Sequence, residues 1–158
     1  MIVVANSTPL IALSKIGQLK LLKDYFNQIF IPKEVFDEVV TRGGDLFGSK
    51  EVREADWIIT QEVKNEVAIL SLYTQLGKGE AEVIVLARES GAKLLIIDDR
   101  DARDIATSMD LRITGTIGIL MLAEKDGRLN LKRTLDELLF KGFRLKCSEY
   151  KRITKSKR

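Results

Sequence analysis

The chain has 158 residues, 45% of them hydrophobic and 31% charged, with a formal net charge of +3, which fits one domain with an ordinary core and permits nucleic-acid binding. It holds no histidine and one cysteine, Cys147, which excludes Ser-His-Asp and Cys-His catalysis, histidine-ligated zinc, internal disulfides and cysteine-rich metal sites. Proton transfer and metal binding must then fall mainly on carboxylates, lysine, tyrosine and hydroxyls.

Ile2 to Ala5 is a short β-branched apolar run, read as a buried strand. Asn6-Ser7-Thr8-Pro9 breaks it, and Thr8 with Pro9 predicts a capped helix carrying Leu10, Leu13 and Ile16, ended by Gly17. A second short helix holds Leu19, Leu22 and Phe26. Ile29-Phe30-Ile31 reads as a strand, and Pro32 opens a helix to about Thr41 with Val35, Phe36, Val39 and Val40 on one side. After a Gly43-Gly44 loop, residues 48–55 predict a helix, Trp57 to Thr60 a strand, and residues 64–75 a polar helix. A strong helix follows over about 79–90, closed by Gly91, and Lys93 to Ile97 is the clearest buried strand. The pattern continues with a helix over Ala102 to Met109, a short strand over Arg112 to Thr114 and a helix over Ile117 to Lys125. Asn130 caps a last amphipathic helix with Leu131, Leu135, Leu138 and Leu139. Strands alternating with helices predict a central, mainly parallel sheet with helices on both faces. We expect one domain over residues 1–146 and a basic tail over 147–158, read as disordered, in which Lys151 to Arg158 carries five basic residues and no acid. The absence of a membrane-length apolar run and of a basic leader at Met1 to Asn6 points to a cytoplasmic protein with no membrane association.

In such sheets, sites form beyond the carboxyl ends of the strands. The first strand ends in Asn6-Ser7-Thr8, and the one at Lys93 to Ile97 ends in Asp98-Asp99-Arg100-Asp101. Helix capping is the plain alternative for both, since Asp, Asn, Ser and Thr favour that role. Glu80 is harder to explain that way. At about 100° per residue it falls over the apolar face of Val83, Ile84 and Ala87, whereas Glu82 and Glu89 point to the other side as solvated acids. A carboxylate so placed needs a partner, and a metal ion is a suitable one. Glu38 and Asp37 flank the apolar arc of their helix on opposite sides, and periodicity does not choose between them. Mg²⁺ and Mn²⁺ prefer oxygen ligands, so converging carboxylates would suit phosphodiester hydrolysis without histidine.

These residues resemble a family. Val3-Val4-Ala5-Asn6-Ser7-Thr8-Pro9-Leu10 looks like the first motif of PIN-domain ribonucleases, in particular a VapC-like, toxin-related subfamily. Ile31-Pro32 through Val35 and Glu38 resembles the second motif, Gly79-Glu80-Ala81-Glu82 the third, and Leu95 to Arg100 with Arg103 and Thr114-Gly115-Thr116-Ile117-Gly118 the fourth. The resemblance implies a three-layer α/β/α fold and Mg²⁺- or Mn²⁺-dependent cleavage of RNA. It also implies a toxin role with a small antitoxin partner, and it is compatible with a homodimer. Carried over by position, Glu38, Glu80 and Asp99 match three acidic catalytic and metal-binding positions. Asp98 and Asp101 are substitutes in a shifted register, and Ser7, Thr8 and Thr116 could orient a ligand or water. Asn6 stands where the family has its first Asp, offering the metal a neutral oxygen in place of a charged one.

Arg100 and Arg103 are the candidates for RNA contact, followed by Lys78 and Arg42, against the alternative of ordinary surface charges. A catalytically weak or inactive PIN-like module that binds RNA or a protein partner is the competing reading, motivated by Asn6. A receiver-type phosphoacceptor domain ranks lower, because it needs an acidic pair where the first strand here ends in Asn6.

Overall fold

The apolar run that opens the chain becomes the central strand of a five-stranded sheet. A computed structural model describes residues 1–44 and 46–155. Its strands are β1 (Val3–Ala5), β2 (Ile29–Pro32), β3 (Ile58–Gln61), β4 (Leu94–Ile96) and β5 (Ile113–Thr114). They lie in the order β3-β2-β1-β4-β5, every pair parallel. Val3, Val4 and Ala5 are fully buried, as are Leu95 and Ile96. This is why these strands read as unbroken apolar runs, since a parallel sheet is covered on both faces.

The helices are α1 (Ser7–Lys15), α2 (Lys20–Phe26), α3 (Lys33–Phe36), α4 (Ser49–Glu54), α5 (Glu66–Leu72), α6 (Lys78–Ser90), α7 (Arg100–Ser108), α8 (Thr116–Lys125), α9 (Leu131–Phe140) and α10 (Cys147–Lys155). Helix α6 packs across β1, β2 and β4, with α5 and α7 against it. Helices α2 and α8 pack against β2 and β5, and α1 and α9 against α8. The result is a three-layer α/β/α fold. Among the described residues, no helix is long and apolar enough to cross a membrane.

Strand order decides where ligands can enter. The chain runs outward from β1 to β2 and β3, then crosses back to place β4 on the other side of β1. The reversal leaves a crevice at the carboxyl ends of β1 and β4. A receiver-type domain reverses between its first and third strands instead, with order 2-1-3-4-5, so the observed topology separates this chain from that class.

Several local expectations change. Helix α1 starts at Ser7, with Asn6 in the extended capping position and Pro9 inside the first turn. Thr8 is therefore a helical, exposed residue and not the cap. Helix α3 runs into a π turn, Asp37–Thr41, where the Arg42 N–H donates to the Asp37 carbonyl at 2.7 Å. Residues 147–155 form α10 where the sequence suggests a disordered tail. Ile153 is buried there, and the Tyr150 hydroxyl donates to Asp136 at 2.6 Å. The last three residues of that tail, 156–158, lie outside the described residues.

Candidate active site

Backbone pairing brings the two candidate strand ends side by side. Ala5 pairs with Ile96, and the Asn6 N–H extends the ladder by donating to the Ile96 carbonyl at 2.9 Å. Asn6 is thereby fixed in the crevice and is 2% exposed. Its side-chain oxygen is buried and accepts no hydrogen bond among the described residues. That is an uncommon state for a polar atom, because an unsatisfied buried acceptor costs about 1–3 kcal/mol.

Glu38 reaches this corner from the π turn. The Ser7 hydroxyl donates to Glu38 Oε2 at 3.5 Å, while Oε1 is buried without a donor among the described residues. The carboxylate lies so close to the backbone of α6 that a methyl group on Gly79 would collide with Oε1. Gly79 is therefore required for Glu38 to occupy its place. Burial first, then the negative charge of the neighbouring Glu80, pushes the Glu38 carboxyl above the ordinary value of 4.5. Asp37 is on the other side of the turn, bonded to Lys33 at 3.0 Å and Thr41 at 3.1 Å on the surface. The inward acid of the pair is Glu38. A π turn adds a residue to the helical repeat, so regular periodicity could not distinguish the two.

Glu80 sits in the first turn of α6, half-buried, with its carboxylate packed beside Gly77. Glu82 and Glu89 are not the free solvated acids that the helical wheel suggests. Glu82 accepts from the Glu34 N–H at 3.4 Å, and Glu89 accepts from the N–H groups of Lys64 and Asn65 at 2.9 and 2.8 Å. Glu82 ties the first turn of α3 to α6, and Glu89 ties the loop before α5 to it, through backbone groups that would otherwise lack partners.

Beyond β4 the two aspartates divide their roles. Asp98 accepts from the Thr116 N–H at 2.8 Å and from the Thr116 hydroxyl at 2.6 Å. Thr116 itself is fully buried. Gly115 leaves the space this needs, because a side chain there would meet Asp98 Oδ1 at 2.5 Å and the Arg103 guanidinium at 3.0 Å. Burial raises the Asp98 pKa, while the Thr116 bonds and the Arg103 charge act in the other direction. Asp99 caps α7 by accepting from the Asp101 N–H at 3.2 Å. It also borders a cleft of about 400 Å³ together with Thr8 and Asp98. Asp101 and Arg100 are exposed. Arg103 is turned toward Asp98, and Lys78 and Arg42 both pair with Glu34, at 3.6 and 2.5 Å.

The arrangement thus has two neighbouring parts, Asn6-Ser7-Glu38-Glu80 and Thr8-Asp98-Asp99-Thr116. Among the described residues, no three acids are gathered closely enough to form a ready-made metal cage. Reading the sequence alone missed the roles of Gly79 and Gly115, whose only visible signal was a glycine next to a candidate residue, Glu80 in one case and Thr116 in the other. It also missed the contribution of residues 138–144 to the cleft wall.

Two outcomes follow from these contacts. Thr116→Val keeps the shape but removes the hydroxyl from Asp98. It should lower stability by about 1.5–3 kcal/mol, the usual scale for a bond to a charged group, as read by urea unfolding. The second concerns pH. A carboxyl whose folded pKa is raised stabilises the fold below its unfolded pKa, and that contribution is lost as pH rises through the folded value. The Glu38 contribution should therefore disappear as pH climbs above about 4.5. Thermal melts from pH 4 to 7 in chelator should show Glu38→Gln gaining stability relative to the parent across that window. A constant difference would refute the assigned burial.

A three-layer fold with an all-parallel sheet places this chain among the α/β domains that carry their sites at the carboxyl ends of the strands. The sequence profile of a family described as a PIN domain matches residues 2–157, and the chain belongs to that family. Nuclease-type activity is what this membership indicates. No curated protein and no solved structure matches the chain.

Proposed function

We propose that this chain is a Mg²⁺- or Mn²⁺-dependent ribonuclease that cleaves RNA phosphodiester bonds. The observation that carries the reading is a pair of buried oxygens with no donor among the described residues, Glu38 Oε1 and Asn6 Oδ1, beside the like charge of Glu80. Such a donor set suits a hard divalent cation, which would remove both the unsatisfied acceptors and the repulsion between the acids. When bound, the ion would supply Lewis-acid stabilisation and an activated water.

In this reading Glu38 and Glu80 are the charged ligands and Asn6 is a neutral one. Ser7 orients Glu38. Asp99, at the neighbouring strand end, faces the incoming RNA and completes the acidic set, while Thr116 and Arg103 hold Asp98 in place. Thr8, at the cleft edge, is near enough to Asp99 to orient water. Arg100 is exposed beside this set and serves as a phosphate contact.

The test is cleavage of a labelled single-stranded RNA with Mn²⁺ by the parent chain and by Glu80→Gln/Asp99→Asn prepared identically. We expect a loss of about 100-fold or more in the double variant, the scale on which metal-supported charge stabilisation is lost. Equal cleavage by both would overturn the reading. The same reading makes the chain the toxin of a toxin–antitoxin pair. Induced alone in cells, the parent should arrest growth and the double variant should not.

Asn6 and the lack of a three-acid cage support a second reading, a PIN-like module that binds RNA or a protein without cleaving. Calorimetric titration with Mn²⁺ separates the two. Binding that Glu80→Gln abolishes argues against the inert module.

A further inference from the structure

The cleft of about 400 Å³ beside Asp99 has a composition that metal binding does not explain. Its floor is apolar, built from Ile11 and Ala12 of α1, Leu138 of α9 and the half-buried Phe143. Two cations, Lys15 and Arg144, line it as well, together with Thr8, Asp98 and Asp99. The walls are tied together. The Lys15 ammonium donates to the Lys141 carbonyl at 3.1 Å, and the Lys141 ammonium donates to the Lys15 carbonyl at 2.7 Å. This reciprocal clasp fixes the end of α1 to the segment after α9. Arg144 is exposed and makes no ion pair or hydrogen bond among the described residues.

We propose that this cleft is a subsite for one nucleotide of a single-stranded RNA, with Phe143 as the stacking surface and Arg144 and Lys15 as the phosphate-facing cations. The inference rests on the ribonuclease reading only in placing the scissile bond near Asp99. The volume falls within the range of small-ligand pockets, which are mostly apolar with a few placed polar groups. An aromatic face beside cations matches the chemistry of an unpaired nucleotide, a flat π surface joined to a phosphate. A paired base is buried in its stack and cannot enter, so the strand must be single. Lys15 spends one donor on Lys141 and keeps two of its three for a phosphate. The Asp98 and Asp99 carboxylates that line the same cleft would then lie toward the next phosphate along the strand, with the divalent ion of the ribonuclease reading between them. The subsite would thus set which base lies beside the cleaved bond.

The experiment measures fluorescence anisotropy of a labelled mixed-sequence RNA of about 12 nucleotides in chelator, over a series of salt concentrations, with the full chain. Phe143→Leu keeps apolar volume and removes the π face, and it should weaken binding by about 10-fold. Arg144→Gln, at an exposed position, should weaken binding and flatten the salt dependence by about 0.7 in slope, one phosphate on a single strand. Melting curves check that both variants fold. If Phe143→Leu does not, Arg144→Gln decides the matter. Parent-like affinity and slope in the folded variants would overturn the subsite while leaving Mn²⁺-dependent cleavage standing. Weakened binding in both, with no cleavage by the parent in Mn²⁺, would keep the subsite and remove the ribonuclease reading. No RNA binding by the parent in chelator would overturn the subsite, and cleavage in Mn²⁺ alone then decides the ribonuclease reading.

Discussion

Gly79→Ala should fold normally and lose its divalent metal affinity. Gly79 is buried in the first turn of α6 and has no need of a left-handed backbone. Alanine is the better helix former by about 1 kcal/mol, so the backbone gains from the change. The new methyl group would nevertheless collide with Glu38 Oε1. The carboxylate is the end of a flexible side chain, so it will swing away and leave its place beside Ser7 and Glu80. Calorimetry with Mn²⁺ should show affinity reduced by about 10-fold or more, the effect of losing roughly 1.4 kcal/mol of ligand interaction. The melting temperature in chelator should stay within a few degrees of the parent or rise. Parent-like Mn²⁺ affinity would show that Glu38 does not hold the ion.

Asn6→Asp should have opposite effects on the metal-free and metal-loaded chain. Asn6 is 2% exposed and its side-chain oxygen has no donor among the described residues. A charged carboxylate in the same space would be unpaired and near Glu38, whose pKa burial and Glu80 already raise. Without metal, the cost is on the order of 3 kcal/mol. For a domain of this size that corresponds to roughly 6–12 °C in melting temperature. With Mn²⁺ the added charge becomes a ligand, so affinity should rise about 10-fold or more and saturating metal should restore the lost stability. A variant destabilised equally with and without Mn²⁺ would show that Asn6 lies outside the metal site.

The features legible in the sequence were those set by local pattern. The runs at Val3 to Ala5 and Leu94 to Ile96 read as buried strands because both faces of the sheet are covered. Asn130 was readable as a cap, and its side chain accepts from the Arg133 N–H at 2.9 Å. The ambiguities arose where regular geometry fails or where distant segments meet. Asp37 and Glu38 were indistinguishable because the π turn changes the helical repeat. Asp98 and Asp99 look alike in sequence, and only the arrival of Thr116, eighteen residues on, fastens one of them at both oxygens. Arg103 read as a surface cation, yet Gly115 gives it room beside Asp98. The cleft wall at Leu138 to Arg144 faces α1 across more than a hundred residues of chain, and no local pattern announces it.

The pairing of Ala5 with Ile96 also governs when the site can exist. During synthesis the first strand emerges early, but its neighbour β4 is absent until most of the chain has left the ribosome. Until then Asn6 and Ser7 have no Asp98 or Asp99 beside them, and β1 has one of its edges uncovered. A nascent chain of this design holds its acids apart and is exposed to misassembly over that interval. Joining them requires closing a loop of about ninety residues, a non-local contact of the kind that slows folding. The order of the strands therefore delays any RNA cleavage by the chain until its own translation is well advanced.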